Sequence, residues 1–290
     1  MSTSHIQLIP DSVVVITVSY GSADALVGLY RSLRDAYGSE LRVVTADNKP
    51  GDTATEKVAA EFSSEYLPMP SNLGYGTAVN RAVEASAADA EWIFVCNPDL
   101  VITPGTLESL LNVATADPKI AVVGPKILQP DGTTYPSARM VPSLRTGIGH
   151  ALFANIWKSN PWSAKYHQDA SPEETRETGW LSGACLLIRR TAFSDLNGFD
   201  EQYFMYFEDV DLGYRFSQAG YRNVYVPEAV VTHTGGHSTQ SNSSSMLNTH
   251  HESAIRFLNT RYSRPLFFPL RWALTIGLKV RAWFGRKVGQ

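Results

Sequence analysis

Apolar residues in the first half of the chain form short unbroken runs, and each run is followed by a stretch in which apolar positions have helical spacing. The run at 13–18 is β-branched throughout, which is typical of a strand buried on both faces of a parallel sheet, and further strands are predicted at 41–46, 92–96 and 120–124. The helical patterns between them cover 24–37, 53–62 and the stretch from 76. This alternation predicts an α/β fold with a mostly parallel sheet and helices on both faces.

Local sequence also predicts where two of these helices begin. Thr53, with Glu56 three residues later, fits a capping box. Thr103 followed by Pro104 fits a helix cap with proline in the first helical position.

After residue 125 the regular spacing of apolar residues disappears. Pro, Gly, Ser and Trp are frequent up to residue 180, which indicates loops with one helix near 145–157. Strands are predicted again at 184–190 and 223–227, and the Gly- and Ser-rich stretch 235–245 is predicted to be a flexible loop.

Charge is unevenly distributed, although the 290 residues together carry a formal net charge of only −3. So small a charge gives no general attraction to nucleic acid, and we expect no nucleic-acid partner. Residues 253–290 contain eight Lys or Arg side chains and no acid, a charge of +8 that leaves −11 for the rest. We therefore divide the chain into an α/β domain at 1–245 and a helical, basic segment at 246–290.

The basic segment contains apolar stretches that are interrupted by cations. Its uncharged run at 272–278 is far shorter than the ~20 residues needed to span a bilayer. Apolar and aromatic side chains beside cations are typical of amphipathic helices that lie on anionic membranes, so we expect the segment to contact a membrane surface. The alternative is that it docks on the acidic remainder of the chain.

Two observations concern the compartment. Cys96 and Cys185 each lie within an apolar run, which is typical of reduced core thiols in a cytoplasmic protein. The opening residues lack both a basic region and a long apolar stretch, so we expect no signal peptide. With the basic segment, these features predict a cytoplasmic protein associated peripherally with the inner face of the cell membrane.

Three acids, Glu208, Asp209 and Asp211, lie in the otherwise apolar and aromatic run FMYFEDVDLGYRF. Charged carboxylates among apolar groups are costly unless a partner meets them. One explanation is a helix that begins near Glu208, because its dipole favours acids in the first turn and Asp211 precedes Arg215 by four residues. The other is a cleft that requires a base or a metal ligand. The run itself leaves both explanations open.

Two further acids follow predicted strands. Asp47 comes after the second strand and Asp99 after the third. Ligands of open α/β sheets bind beyond the carboxyl ends of the strands, so both acids are candidate ligand contacts, although Asp also favours turns. The loop SNLGYGTAVN leads into a helix and can present backbone N–H groups to a phosphate. It lacks the third glycine of a dinucleotide fingerprint, which disfavours NAD.

Together these motifs resemble the inverting nucleotide-sugar glycosyltransferases of family two, which have the GT-A fold, over about residues 12–240. The resemblance implies a nucleotide-sugar donor and a divalent metal cofactor, Mn²⁺ or Mg²⁺. The segments NLGYGTAVNRA and SGACLLIRR are most similar to actinobacterial rhamnosyltransferases. These enzymes move L-rhamnose from dTDP-rhamnose to a polyprenyl-diphosphate-linked GlcNAc acceptor in cell-wall linker assembly, which implies a lipid-linked glycan acceptor here.

The resemblance also implies roles for individual residues. Nucleotide-sugar contacts are implied for Tyr20, Asp47, Asn72, Gly74, Gly76, Asn80, Asn97 and Asp99. The metal is implied at Asp99 and His233, although Asn97 replaces the first acid of the family's Asp-X-Asp element. Asp209 is implied as the catalytic base with Glu208 beside it, and acceptor contacts are implied for Trp180, Ser182, Gly183 and Asp211.

The implied chemistry accounts for the aromatic surroundings of Asp209. A carboxylate held among aromatic groups has a raised pKa and is a better base toward a sugar hydroxyl. Structural roles for His233 and Trp180 remain alternatives at this point. Two alternative functions remain. One is transfer of another sugar, from UDP-galactofuranose or a UDP-hexose, and the other is non-catalytic carbohydrate binding. A sugar nucleotidyltransferase is disfavoured, because SYGSADAL after the first strand contains no Lys or Arg.

Overall fold

The structure is a computed structural model that describes residues 12–142, 173–235 and 243–276, except Leu270 and Ala273. The helix predicted near 145–157, most of the predicted loop at 235–245 and the end of the basic segment lie outside the described residues.

Strands and helices alternate through the first half of the chain, as predicted. The strands are β1 Val13–Ser19, β2 Arg42–Asp47, β3 Glu65–Pro68, β4 Trp92–Cys96, β5 Leu100–Ile102, β6 Ile120–Leu128, β7 Thr134–Tyr135, β8 Ala138–Arg139, β9 Arg176–Thr178, β10 Trp180–Leu181, β11 Cys185–Arg189 and β12 Arg222–His233. The helices are α1 Ala23–Tyr37, α2 Thr53–Glu61, α3 Tyr75–Ser86, α4 Thr106–Ala116, α5 Arg190–Asp195, α6 Glu208–Gln218 and α7 Ser243–Arg261, followed by a 3₁₀ turn at Pro265–Phe267.

The main sheet has the strand order β3-β2-β1-β4-β11-β6-β12-β5. Neighbours from β3 to β4 are parallel, and β12 is parallel to β6. β11 lies antiparallel between β4 and β6, and β5 is antiparallel to β12. The predicted mostly parallel sheet is confirmed. The central antiparallel strand was not predicted, because a run of apolar residues carries no information about strand direction.

The strand order reverses between β1 and β4, since the chain first builds outward to β3 and then returns to the other side of β1. Ligands of open α/β sheets bind at such a point, beyond the carboxyl ends of the strands. In the parallel register Ser19 at the end of β1 lies opposite Asp47 at the end of β2. The fold therefore brings the predicted strand-end acids to the edge where a ligand is expected.

Helices cover both faces of the sheet, as the alternation predicted. On one face, Leu29 of α1 and Leu107 of α4 belong to a buried cluster. On the other, Val79 of α3 and Phe216 of α6 belong to a second cluster. Burial of these apolar side chains between the sheet and its helices is the main contribution to the stability of a layered domain.

The helix predicted from residue 53 does begin at Thr53, but the predicted caps of α2 and α4 are wrong by one and two residues. The cap of α2 is Asp52, whose Oδ1 accepts hydrogen bonds from the N–H groups of Ala54 and Thr55 at 3.1 and 3.4 Å. α4 begins at Thr106, after Gly105 with φ of 87°. In each case a residue with a better-placed oxygen or a left-handed backbone takes the cap position in place of the predicted Thr.

Helix α7 packs against the segment that precedes α6. Phe257 of α7 is buried in a small cluster with Tyr203 and Val210. The helix begins at Ser243 and so spans the predicted division at 245/246. Across the described ranges, no helix is both long enough and apolar enough to cross a membrane.

Candidate active site

The first side of the site is formed by the ends of β1 and β2. Asp47 is 1% exposed, and its carboxyl group accepts hydrogen bonds from the Lys49 N–H and the Tyr66 hydroxyl, both at 3.0 Å. Burial raises the pKa of Asp47. Tyr20, directly after β1, is 53% exposed. An exposed ring beside a fixed carboxylate is a suitable surface for a nucleobase.

The loop before α3 is held by a residue that the sequence did not indicate. The Asn48 amide donates to the Gly74 carbonyl at 2.9 Å and accepts from the Leu73 N–H at 3.3 Å. Asn72 is exposed, and its side-chain oxygen accepts from the Gly74 N–H at 3.2 Å. Gly74 itself has φ of 87° and caps α3. The available signal for Asn48 was its place immediately after Asp47.

The two glycines of this loop permit a close approach by the segment that leads to the acids. A Cβ on Gly74 would lie 2.2 Å from the Phe204 carbonyl oxygen, and a Cβ on Gly76 would lie 2.8 Å from the Phe199 Cβ. The Tyr75 N–H donates to the Phe204 carbonyl at 3.1 Å. These glycines thus join the predicted diphosphate loop to the acidic segment.

Asn80 makes the same connection one turn later. Its amide donates to the Phe199 carbonyl and accepts from the Phe199 N–H, both at 2.9 Å. This pairing uses the amide on protein backbone and favours a structural role. The implied contact of Asn80 with the donor stays a prediction.

Asp99 and His233 meet at the end of β4 and β12. Their Oδ1 and Nε2 atoms are 3.0 Å apart, and the side chains are 14% and 29% exposed. The pairing of β5 with β12 places His233 opposite Leu100, while the Thr234 N–H and hydroxyl both donate to the Asp99 carbonyl. The partly exposed carboxylate and imidazole are suitable donors for a divalent cation.

These two side chains do not form a complete metal cage. Within the described part of the chain, no three His, Cys, Asp or Glu side chains gather closely enough to hold a metal. Asn97 lies two residues before Asp99 and donates its backbone N–H to the Ala184 carbonyl at 2.8 Å. The site therefore fits a cation whose remaining ligands come from the donor or from water.

Asp209 lies in the first turn of α6 and faces the start of β11. Its Oδ2 accepts from the Gly183 N–H at 2.9 Å, and its Oδ1 accepts from the Val210 N–H at 2.8 Å. The Tyr75 hydroxyl donates to the Gly183 carbonyl at 2.7 Å. The residue as a whole is half-buried, and burial raises the pKa of Asp209. These features are those of a general base.

Glu208 is more deeply buried than Asp209, at 7% exposure. Among the described residues its Oε2 has no hydrogen-bond partner. Burial, and next the charge of Asp209, raise the pKa of Glu208 to about 8. Burial therefore favours the protonated form of Glu208 at neutral pH.

The helix explanation of the acidic run is confirmed, and the explanation by a cleft that requires a base stays a prediction. Glu208, Asp209 and Asp211 all lie in the first turn of α6. Asp211 is 1% exposed and accepts from Arg215 Nε at 2.6 Å. Its carboxyl group is closed to solvent and paired within the helix, which argues against the implied acceptor contact. Glu208 and Asp209 belong to the cleft.

The other implied acceptor residues lie beside Asp209. Gly183 holds the base directly, and Ser182 is buried with its hydroxyl near the Ala184 N–H at 3.4 Å. The Trp180 ring is half-buried, and its Nε1 donates to the Met140 carbonyl at 3.2 Å. Sequence reasoning missed Arg139, whose guanidinium lies 5.9 Å from the centre of the Trp180 ring.

Arg139 also contributes to the electrostatics of the base. It is exposed on β8, and its charge acts to lower the pKa of Asp209 against the larger effect of burial. No pattern around residue 139 could have revealed this, since the contact depends on the pairing of β8 with β10. An arginine over an aromatic ring beside the base is suited to an anionic acceptor.

A mostly parallel sheet with acids at the strand ends is typical of α/β enzymes that bind a nucleotide beyond the strands. The chain belongs to the family described as "Glycosyltransferase like family 2", which matches residues 1–250. It is therefore a nucleotide-sugar-dependent glycosyltransferase, and the implied family is confirmed.

Two relatives cover most of the chain. The N-acetylglucosaminyl-diphospho-decaprenol L-rhamnosyltransferase of Mycobacterium tuberculosis is 42% identical over 282 residues, which cover 94% of this chain and 92% of that protein. Rhamnosyltransferase WbbL of Escherichia coli is 26% identical over 253 residues, which cover 85% of this chain and 92% of that protein.

Solved structures support the GT-A fold. Mannosyltransferase PcManGT from Pyrobaculum calidifontis, in complex with GDP-Man and Mn²⁺, has a TM-score of 0.58 at 15% identity and covers 91% of this chain and 68% of its own. GalNAc-T7 with UDP, GalNAc and Mn²⁺ has a TM-score of 0.59 at 15% identity, with coverage of 90% and 53%. At this identity the likeness concerns the fold alone.

Proposed function

We propose that the protein is an inverting glycosyltransferase that moves L-rhamnose from dTDP-rhamnose to a hydroxyl of a polyprenyl-diphosphate-linked GlcNAc. The identity of 42% to a mycobacterial rhamnosyltransferase of that acceptor class supports the substrates. The observation that carries the reaction type is Asp209, a carboxylate of raised pKa oriented by the Gly183 N–H at 2.9 Å.

Asp209 acts as the general base. It takes the proton of the acceptor hydroxyl as that oxygen forms a bond to the anomeric carbon. The bond between the anomeric carbon and the diphosphate oxygen breaks on the opposite face of the sugar, so the configuration is inverted. The Gly183 N–H keeps the carboxylate oriented, and the surrounding protein limits its hydration, which keeps its basicity high.

The donor occupies the edge of the sheet beyond β1, β2 and β4. Tyr20 and Asp47 contact the nucleobase, and the loop with Asn72, Gly74 and Gly76 supports the diphosphate. Asn97, Asp99 and Asn80 complete the implied donor contacts. The exposed Tyr20 ring and the helix start after Gly74 support this placement.

Asp99 and His233 would hold the divalent cation. The imidazole favours Mn²⁺ over Mg²⁺ because nitrogen ligands suit transition metals better. When bound, the cation supplies Lewis-acid neutralisation of the leaving diphosphate. The 3.0 Å separation of the two side chains supports a shared site, and the hydrogen bond between them keeps both side chains in place.

The acceptor lies over Gly183, Ser182 and Trp180, beside Asp209. Arg139 extends this surface with a positive charge that suits the diphosphate of a lipid-linked acceptor. The segment after α7 then places the enzyme at the inner face of the cell membrane, as a basic amphipathic region distinct in role from the domain at 1–245.

Exposed apolar side chains after α7 support the membrane contact. Phe268, Trp272 and Ile276 are 61%, 63% and 40% exposed and recur every four residues, and Leu266 is 85% exposed. In a helix such spacing forms one stripe, and Arg264 and Arg271 adjoin it. An apolar stripe beside cations is suited to an anionic bilayer surface.

The experiment that tests the function offers the full-length protein a panel of dTDP-rhamnose, UDP-galactofuranose, UDP-galactose and GDP-mannose with a short-chain polyprenyl-diphosphate-GlcNAc and Mn²⁺. We expect a product larger by one deoxyhexose with dTDP-rhamnose, with inverted anomeric configuration by NMR. Transfer of another sugar in the panel would replace the donor assignment. Donor binding without any transfer would favour a carbohydrate-binding protein.

A further inference from the structure

The turn that leads into α6 has an unusual backbone. Tyr206 and Phe207 have φ of 68° and 67°, so two successive bulky residues adopt the left-handed conformation directly before Glu208. Residues with a Cβ rarely adopt this conformation, and it persists only where surrounding structure holds it. We call residues 205–207 the entry turn. Asp209 follows the entry turn by two residues, so the path of the turn sets where its carboxyl group lies.

Helix α7 contacts the entry turn at both ends. The Ser253 hydroxyl donates to the Met205 carbonyl at 2.9 Å. The ring of Phe257, which is 1% exposed, lies 5.7 Å from the ring of Phe207. His250 lies 5.4 Å from the same Phe207 ring. A hydrogen bond before the two left-handed residues and ring packing on the second of them restrict both sides of the turn.

Charged residues fix α7 against the same region. Arg256 Nη2 lies 3.3 Å from an Asp200 carboxylate oxygen, and its guanidinium lies 5.4 Å from the centre of the Tyr203 ring. Arg261 lies 4.9 Å from the centre of the Tyr214 ring on α6. The helix thus contacts the chain both before and after the entry turn, which suits a brace.

We propose that Ser253 and Phe257 are positioning residues, and that α7 holds the entry turn in its left-handed path so that Asp209 faces the acceptor hydroxyl. This inference rests on the proposed role of Asp209 as the base. Neither residue belongs to a motif recognised in the sequence. Both lie on α7, the helix that follows the strands of the main sheet. Without the brace, the turn relaxes toward ordinary backbone angles and the carboxylate shifts.

The test measures Ser253→Ala and Phe257→Ala in two backgrounds, the wild-type protein and Asp209→Asn. In the wild type we expect kcat to fall about tenfold or more, because small displacements of a reacting group are costly. The donor affinity, measured by thermal shift with dTDP-rhamnose, should stay within roughly twofold. In Asp209→Asn the same substitutions should change the residual kcat by less than about twofold, because positioning acts through the carboxylate.

Asn259→Ala is the matched control, since Asn259 is exposed on the same helix. It should leave kcat unchanged in both backgrounds. An equal loss of kcat from Phe257→Ala in both backgrounds would overturn the inference, because the helix would then act by some route other than Asp209. Wild-type kcat in both Ser253→Ala and Phe257→Ala would overturn it as well.

These variants distinguish a failure of the inference from a failure of the proposed function. Near-normal turnover of Asp209→Asn alone would remove the base assignment and the inference with it. A large loss in Asp209→Asn with no loss in the α7 variants would leave the base in place and remove only the brace. Should Phe257→Ala fail to fold, Phe257→Leu keeps apolar volume while losing the ring contact, and with Ser253→Ala it decides the question.

Discussion

Substitution of Gly74 tests how closely the donor loop and the entry turn approach each other. In Gly74→Ala the new Cβ would lie 2.2 Å from the Phe204 carbonyl oxygen, at a residue whose φ is 87°. With ψ of 169° this backbone lies in a region that only glycine adopts readily, which costs an alanine about 1–3 kcal/mol. Overpacking against backbone adds about 1–3 kcal/mol, so the free energy of unfolding should fall by about 2–6 kcal/mol.

Gly105 provides a control for the packing part of this prediction. It also has φ of 87° and precedes a helix, but its ψ of −3° is left-handed helical, and a Cβ there would meet no atom within 4 Å. Gly105→Ala should therefore lose only the backbone part, about 1–2 kcal/mol. Urea unfolding of both variants measures the difference. Equal losses in the two variants would refute the close contact between the loop and Phe204. Gly74→Ala should also lower kcat, because its Cβ displaces the residue next to the entry turn.

Other predictions concern ionisation, metal and membrane. Folding raises the pKa of Glu208 from 4.5 to about 8, so its contribution to stability is complete below pH ~4.5 and is lost as pH rises through 8. Glu208→Gln should flatten this decline of the unfolding free energy with pH, measured by urea unfolding. An unchanged pH profile would contradict the burial of Glu208. Asp99→Ala should abolish the part of dTDP-rhamnose binding that depends on Mn²⁺, whereas Asp131→Asn in an exposed turn should not; full activity of chelator-treated wild type would exclude a metal requirement. Deletion of residues 264–290 should weaken sedimentation with anionic liposomes roughly tenfold or more at ~0.1 M salt while sparing donor binding, and equal liposome binding would leave docking on the acidic domain as the explanation.

The fold could be predicted from the sequence because its strands are continuous apolar runs and its helices have clear spacing. Strand direction could not be predicted from the sequence in the same way. β11 has an apolar run like that of β4, yet it lies antiparallel to it, with Cys185 opposite Cys96. Helix caps were also missed, since Asp52 and Gly105 act through side-chain geometry and backbone angle that spacing alone does not reveal.

The site was partly predictable for a related reason. Asp47 and Asp99 follow strands and Asp209 lies in the first turn of a helix, so their placement follows from the topology. Asp211 has the same local sequence context, but its ion pair with Arg215 holds its carboxylate in the protein interior, away from solvent. Contacts between distant segments could not be predicted, and Arg139 beside Trp180 is the clearest example.

The basic segment shows the same limit. Its composition indicated an amphipathic region, and the exposed Phe268 and Trp272 agree with that prediction. Composition gave no indication that the helix before it packs on the entry turn, because Ser253 and Phe257 are ordinary residues in an unremarkable helical pattern. The physical reason is that a brace is defined by its partner, which lies about fifty residues earlier in the chain.

The central claim is that Asp209 removes the proton from the acceptor hydroxyl, and the most direct measurement is the turnover of Asp209→Asn. Asparagine preserves the size of the side chain and can still accept from the Gly183 N–H, but it cannot take the proton. With dTDP-rhamnose and polyprenyl-diphosphate-GlcNAc we expect kcat to fall by roughly 10²-fold or more, the scale of a general base, while donor affinity stays within roughly twofold. Turnover within a few fold of wild type at unchanged donor affinity would contradict the account.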